Sequence, residues 1–119
     1  MSVPAFSASD AVSSVLSAAL DGLSTRQRVI ADNIANIDTP GFRATSVDFE
    51  SSLRAAISSG DPGRFGVATL ATDTPVGPDG NNVDLRKETV AAMQSQFQYQ
   101  MMTRAVSDRF DILRISAGA

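Results

Sequence analysis

Ala31-Asp32-Asn33-Ile34-Ala35-Asn36-Ile37-Asp38-Thr39-Pro40-Gly41-Phe42-Arg43-Ala44 reads as the end of a helix followed by a tight turn, and the organisation of the chain follows from it. The ring of Pro40 crowds the residue before it, so Thr39 cannot stay helical and a helix must stop upstream. Asn36 suits the left-handed conformation that often closes a helix. Pro40-Gly41 suits the central positions of a type II turn, the second of which needs a positive φ. Asn33 and Asn36 lie about one turn apart, where their amides can bond the last carbonyls of the helix or those of a neighbouring chain. Phe42 then returns an aromatic ring toward the helix.

Upstream of this stop, a helix is expected from Ser9 or Asp10, either of which can cap the free N–H groups of a first turn. Leu16, Leu20, Leu23, Ile30, Ile34 and Ile37 recur in alternating steps of four and three, with Gln27 in the slot that interrupts them. This is the 3.5-residue period of a coiled-coil seam, and also of an ordinary amphipathic helix facing its own core. Gly22 weakens the helix by about 1 kcal/mol and lets another backbone approach.

Downstream, six of the eight glycines and four of the five prolines fall between Asp38 and Asn82, which excludes a continuous helix there. Leu53, Ile57 and Phe65 are candidates for a short helix and its contact, and Val47 and Phe49 point to one side if that stretch is extended. A small strand or hairpin fits the same segment, and residues 72–81 read as a flexible loop. A second long helix is expected after Asn82, with Asp84 as its cap, ending near Ser116 before Gly118. Its apolar positions Val90, Met93, Phe97 and Met101 continue on a shifted line through Met102, Val106, Phe110 and Leu113. That face is wide enough to touch more than one neighbour.

The expected architecture is therefore mainly α: two long terminal helices forming an antiparallel, coiled-coil-like hairpin around an irregular Gly/Pro-rich middle that holds a short helix or small β element. The segments are 1–9, 10–37, 38–82 and 83–119. Two helices of this length make a rod roughly 40 to 50 Å long, each buried along one side. So thin a core barely offsets chain entropy, and much of the ordering is expected on assembly with other chains.

Composition narrows the function. The 119 residues include neither Cys nor His, which removes disulfides, thiolate or imidazole metal sites and the commonest general base. Asp32, Asp38 and Asp48 offer carboxylates with no accompanying base or phosphate cradle, so no catalytic, cofactor or metal residues are assigned. Formal net charge is -3 with a single lysine, Lys87, which argues against a nucleic-acid partner. The singly spaced arginines, each usually near an Asp, read as a solvated surface. The first basic residue is Arg26, so the charged start of a cleavable signal peptide is not visible, and no apolar run reaches about 18 residues.

As a literal string, the Asn-Ile-Ala-Asn of Asn33 to Asn36 followed by Thr39-Pro40-Gly41-Phe42 resembles the signature of the flagellar rod and hook axial protein family. Asp32 stands where a small residue is often found, a mild departure at a surface-compatible site. The flanks Ser46-Val47-Asp48-Phe49-Glu50, Leu53-Arg54-Ala55-Ala56-Ile57, Gly80-Asn81-Asn82-Val83-Asp84-Leu85 and Phe97-Gln98-Tyr99-Gln100 resemble its proximal-rod members. The likeness is weak from about Ser59 to Pro78. It implies a non-enzymatic subunit of the bacterial flagellar basal body whose terminal helices build a helical tube and transmit torque. It further implies a flexible, uncleaved N-terminal segment, 1–9, read by the flagellar type III export apparatus, and a periplasmic location. The implied partners are further copies of itself, the rod proteins FlgC and FlgF, the adaptor FliE and the membrane ring protein FliF. The two apolar lines are then the expected subunit interface, and Asn33, Asn36, Asp38, Thr39, Pro40, Gly41 and Phe42 form the family's motif turn. The rival reading is a cytoplasmic helical adaptor or secretion chaperone that binds a partner through an amphipathic face.

Overall fold

A computed structural model describes residues 4–60 and 66–118. Helix α1 spans Pro4–Ala35, strand β1 Thr45–Asp48, helix α2 Phe49–Ser59, strand β2 Ala68–Ala71 and helix α3 Leu85–Gly118. The chain is mainly helical, with two long helices in contact and a small sheet between them in sequence. Helix α1 begins at Pro4 rather than at Ser9 or Asp10. Proline is favoured in a first turn because its fixed φ suits the helix and its missing N–H would have had no partner there. Most of the segment 1–9 is thus helical, residues 1–3 lying outside the described part.

Helix α3 starts as expected, with the Asp84 carboxylate accepting the Lys87 N–H at 3.2 Å, and it continues two residues past Ser116. The two long helices run antiparallel, since Asn33 near the end of α1 meets Glu88 near the start of α3, while Arg26 meets Gln98. The molecule measures 63 × 26 × 15 Å, a flat rod one helix pair wide.

The buried apolar residues are Ala19, Leu23, Ile30, Ala44, Val47, Phe49 and Ala56. Leu23, 1% exposed, is central to a cluster with Ala19, Val47 and Phe49, against which Tyr99 and Met102 of α3 pack. Ser95 of α3 is also fully buried. Val47 and Phe49 do reach one core, although Phe49 is the first residue of α2 and not part of a strand. Helix α2 ends at Gly60, whose φ of +72° and N–H to the Ile57 carbonyl at 3.2 Å close the last turn. Strands β1 and β2 pair antiparallel, with Thr45 opposite Ala71 and Asp48 opposite Ala68. Phe65 lies outside the described residues.

Candidate assembly surface and the turn that frames it

The turn after α1 closes by a route other than a left-handed asparagine. Among the described residues only glycines take positive φ, so Asn36 does not adopt that conformation. Its side-chain amide instead donates to the Asp32 carbonyl at 2.8 Å, and its Oδ1 accepts the Thr39 hydroxyl at 3.0 Å. The backbone itself closes through the Ile37 N–H to the Ile34 carbonyl at 3.2 Å and the Thr39 N–H to the Asn36 carbonyl at 3.0 Å, and the side-chain bonds brace that closure. The type II turn forms as expected: Gly41 has φ +76° and the Phe42 N–H bonds the Thr39 carbonyl at 3.2 Å. Asp38, Thr39, Pro40 and Gly41 are exposed and Phe42 is half-buried.

The segment read as a flexible loop is tied to this turn by two asparagines with no assigned role in the sequence reading. The Asn81 amide donates to the carbonyls of Asn36 and Thr39 at 2.9 and 2.8 Å. Asn82 accepts the Ala44 N–H at 2.6 Å and donates to the Thr72 carbonyl at 3.1 Å. Gly41 N–H reaches the Asp79 carbonyl at 2.9 Å. Gly80, at φ +82°, passes so close that a Cβ would lie 3.2 Å from the Gly41 Cα. The only available signal was the pair of adjacent asparagines after a glycine, a pattern shared by many unconstrained turns.

Asn33, 1% exposed, joins three elements. Its amide donates to the Thr45 carbonyl at 2.7 Å and to Glu88 Oε1 at 2.9 Å, and its Oδ1 accepts the Thr45 N–H at 3.3 Å. It therefore bonds within its own chain, not to a neighbour. Asn33→Ala strands the Thr45 groups and the Glu88 carboxyl without a partner, and a loss of about 2 to 3 kcal/mol in urea unfolding is expected.

Arg26 departs furthest from the solvated-surface reading. Its guanidinium forms a fork with both Glu50 oxygens at 2.8 Å, donates to the Val47 carbonyl at 2.8 Å and Gln98 at 3.1 Å, and lies 5.6 Å from the Phe49 ring centre. Planar five-donor geometry makes such a multiple junction available to Arg and not to Lys.

The two carboxyls of these networks respond oppositely to burial and charge. The hydrogen bond from Arg26 holds Glu50 below its usual value of 4.5. Burial pushes Glu88 above 4.5, against the lowering effect of its bond from Asn33. A raised carboxyl binds its proton more tightly when folded, so its contribution to stability is complete below 4.5 and is lost as pH rises through the raised value. Glu50 contributes above 4.5, and that contribution is lost as pH falls through its lowered value. Glu88→Gln should flatten urea midpoints on the side above 4.5, whereas Glu50→Gln should flatten the acid side.

Of the residues expected at the interface, Leu23 and Ile30 are buried inside the chain, and Leu16, Leu20, Ile34 and Ile37 are half-buried, as is Gln27. On α3 the two lines separate. Met102, Val106 and Leu113 are half-buried, while Phe110 is exposed. Val90, Met93, Phe97 and Met101 are between 49% and 67% exposed. Phe97 sits two residues from buried Ser95, which puts it about 200° round the helix, on the face turned away from α1. Ile112 and Ile115 are exposed as well. The result is a long helix with one face on its own chain and an apolar stripe open along the other. Among the described residues no group of three or more acidic side chains could hold a metal, and no helix is long and apolar enough to cross a membrane.

A family model described as flagella basal body rod protein matches residues 15–43, which take in α1 from Val15 onward and the turn built around Asn33, Asn36 and Gly41. The flagellar basal body rod protein FlgB of Borreliella burgdorferi is 36% identical over 118 residues, covering 81% of this chain and 87% of the relative. FlgB of Bacillus subtilis strain 168 is 34% identical, covering 81% and 84%. FlgB of Escherichia coli strain K12 is 34% identical, covering 75% and 80%. With the helix pair, its turn and similarity of this extent, the chain belongs to the FlgB family of flagellar basal body rod proteins.

Proposed function

We infer that the chain is a structural subunit of the proximal rod of the bacterial flagellar basal body, joined to other axial subunits through its terminal helices. The observation that carries this reading is the open stripe Val90, Met93, Phe97 and Met101 on a helix already packed along its opposite face. Four large apolar side chains in line on one helix face form the kind of contiguous patch that a partner covers. Repeated head-to-tail contacts between unlike faces generate a helical tube rather than a closed ring, which is the form needed to join a membrane ring to the rest of a rod and carry torque.

In this reading residues 1–9 serve as an uncleaved segment for the flagellar type III export apparatus, 10–37 and 83–119 form the rod core, and 38–82 is the turn and variable middle. The partners are further copies of the chain, FlgC, FlgF, FliE and FliF, in the periplasm, and the role is one of assembly without catalysis. Among the residues whose side chains are described, the buried ones run from Ala19 to Ser95, so this part folds on its own contacts. The far ends of α1 and α3 gain their order when neighbours cover them.

Co-sedimentation tests the reading. An epitope-tagged chain should remain with detergent-extracted basal bodies after high-salt washing. A chain recovered wholly in the soluble cytoplasmic fraction would identify the adaptor or chaperone instead.

A further inference from the structure

We propose that the free edge of β2 is a docking site for the same edge of a second copy of this chain, giving a two-fold, four-stranded sheet. The two edges of the small sheet are unequal. On the outer side of β1, Asn33 bonds both the carbonyl and the N–H of Thr45, and Arg26 bonds the Val47 carbonyl. Side chains of α1 thus close that edge. With Thr45 and Val47 turned toward α1, it is Ser46 and Asp48 that face Leu70 and Ala68, since backbone groups alternate sides along an antiparallel strand. The Thr72 N–H bond to the Ala44 carbonyl at 3.1 Å continues the same alternation.

Thr69 and Ala71 therefore direct their N–H and C=O groups outward. All four residues of β2 are exposed, and among the described residues nothing bonds this edge. No charged residue or proline interrupts it, although such residues are the usual guards of an open edge.

The edge is complementary to itself. Turned about a two-fold axis through Leu70, a second copy sets Thr69 opposite Ala71 and Ala71 opposite Thr69. Each of these pairs exchanges two backbone hydrogen bonds. Leu70, 51% exposed, then faces Leu70 of the other copy across a non-hydrogen-bonded position, where side chains approach most closely. The closed edge of β1 leaves no other strand of this sheet to serve as partner. An isologous contact closes on itself and cannot propagate along a tube. On the rod reading, the pairing thus belongs to subunits not yet incorporated.

The absence of cysteine makes the contact directly testable by disulfide trapping of the purified full-length chain. Leu70→Cys should form a covalent dimer under mild oxidation at least tenfold faster than Ala35→Cys, an exposed control at the C-terminal end of α1 and outside the strand. Ala71→Pro removes one outward N–H that the pairing of β1 with β2 does not use. Combined with Leu70→Cys it should return the rate to that of the control while circular dichroism stays unchanged. Equal rates for Leu70→Cys and Ala35→Cys would overturn the proposal, and so would trapping unaffected by the proline. Neither result bears on whether the chain co-sediments with basal bodies.

Discussion

Leu23→Asp is expected to abolish the folded state, with no cooperative thermal transition by circular dichroism at neutral pH. The side chain is 1% exposed among Ala19, Val47 and Phe49, and Arg26, one turn on, is already committed to Glu50 and the Val47 carbonyl. Truncation to Ala at such a site costs about 3 kcal/mol. An unpaired carboxylate adds a desolvation penalty of several kcal/mol more. Domains of this size hold only about 5 to 15 kcal/mol of stability, and here the buried apolar set is small. Retention of the wild-type melting temperature would show that Leu23 does not occupy the core. From sequence, Leu23 lies on the same seam as Ile34 and is a natural choice for testing assembly. In the fold it reports on the chain's own packing.

Phe97→Asp should behave in the opposite way. Its ring is 63% exposed on the side of α3 away from α1, so the variant loses little internal packing and its unfolding midpoint should shift by no more than about 0.5 kcal/mol. Swimming should nevertheless be lost, because a charge would sit within a buried contact between subunits. Motility on soft agar, the soluble protein level and the melting curve together separate failure to assemble from failure to fold. Full motility would show that the stripe is not an interface. The two aspartate variants form a pair: one removes the fold and with it every function, the other leaves the fold and removes the polymer.

The two long helices, the Asp84 cap and the type II turn were legible because their causes are local. Pro40 ends a helix wherever it stands, Gly41 supplies the positive φ of its own turn, and Asp84 caps the third residue after it. The family signature around Asn33 to Phe42 is equally local, and carried the identification. The start of α1 was misplaced because Ser9 and Asp10 are good caps in isolation, while Pro4 is an equally valid first-turn residue farther out. Helix propensity along the chain does not choose between them.

The sequence by itself determined where the chain is helical, where it must turn, and that its two long helices carry more apolar surface than a pair can bury. Only the tertiary structure decided which surface remains open. The 3.5-residue period fixes that a face exists but not its partner, and nothing in the residue types of Val90 to Met101 or Met102 to Leu113 marks which of the two lines is covered. The same limit hid the hubs. Asn33 reaches Glu88, Arg26 reaches Glu50 and Gln98, and Asn81 and Asn82 reach the turn at Asn36 to Ala44, all across separations of 24 to 72 residues. Hydrogen bonds over such distances exist only once packing has excluded water and fixed the geometry, so no spacing along the chain announces them.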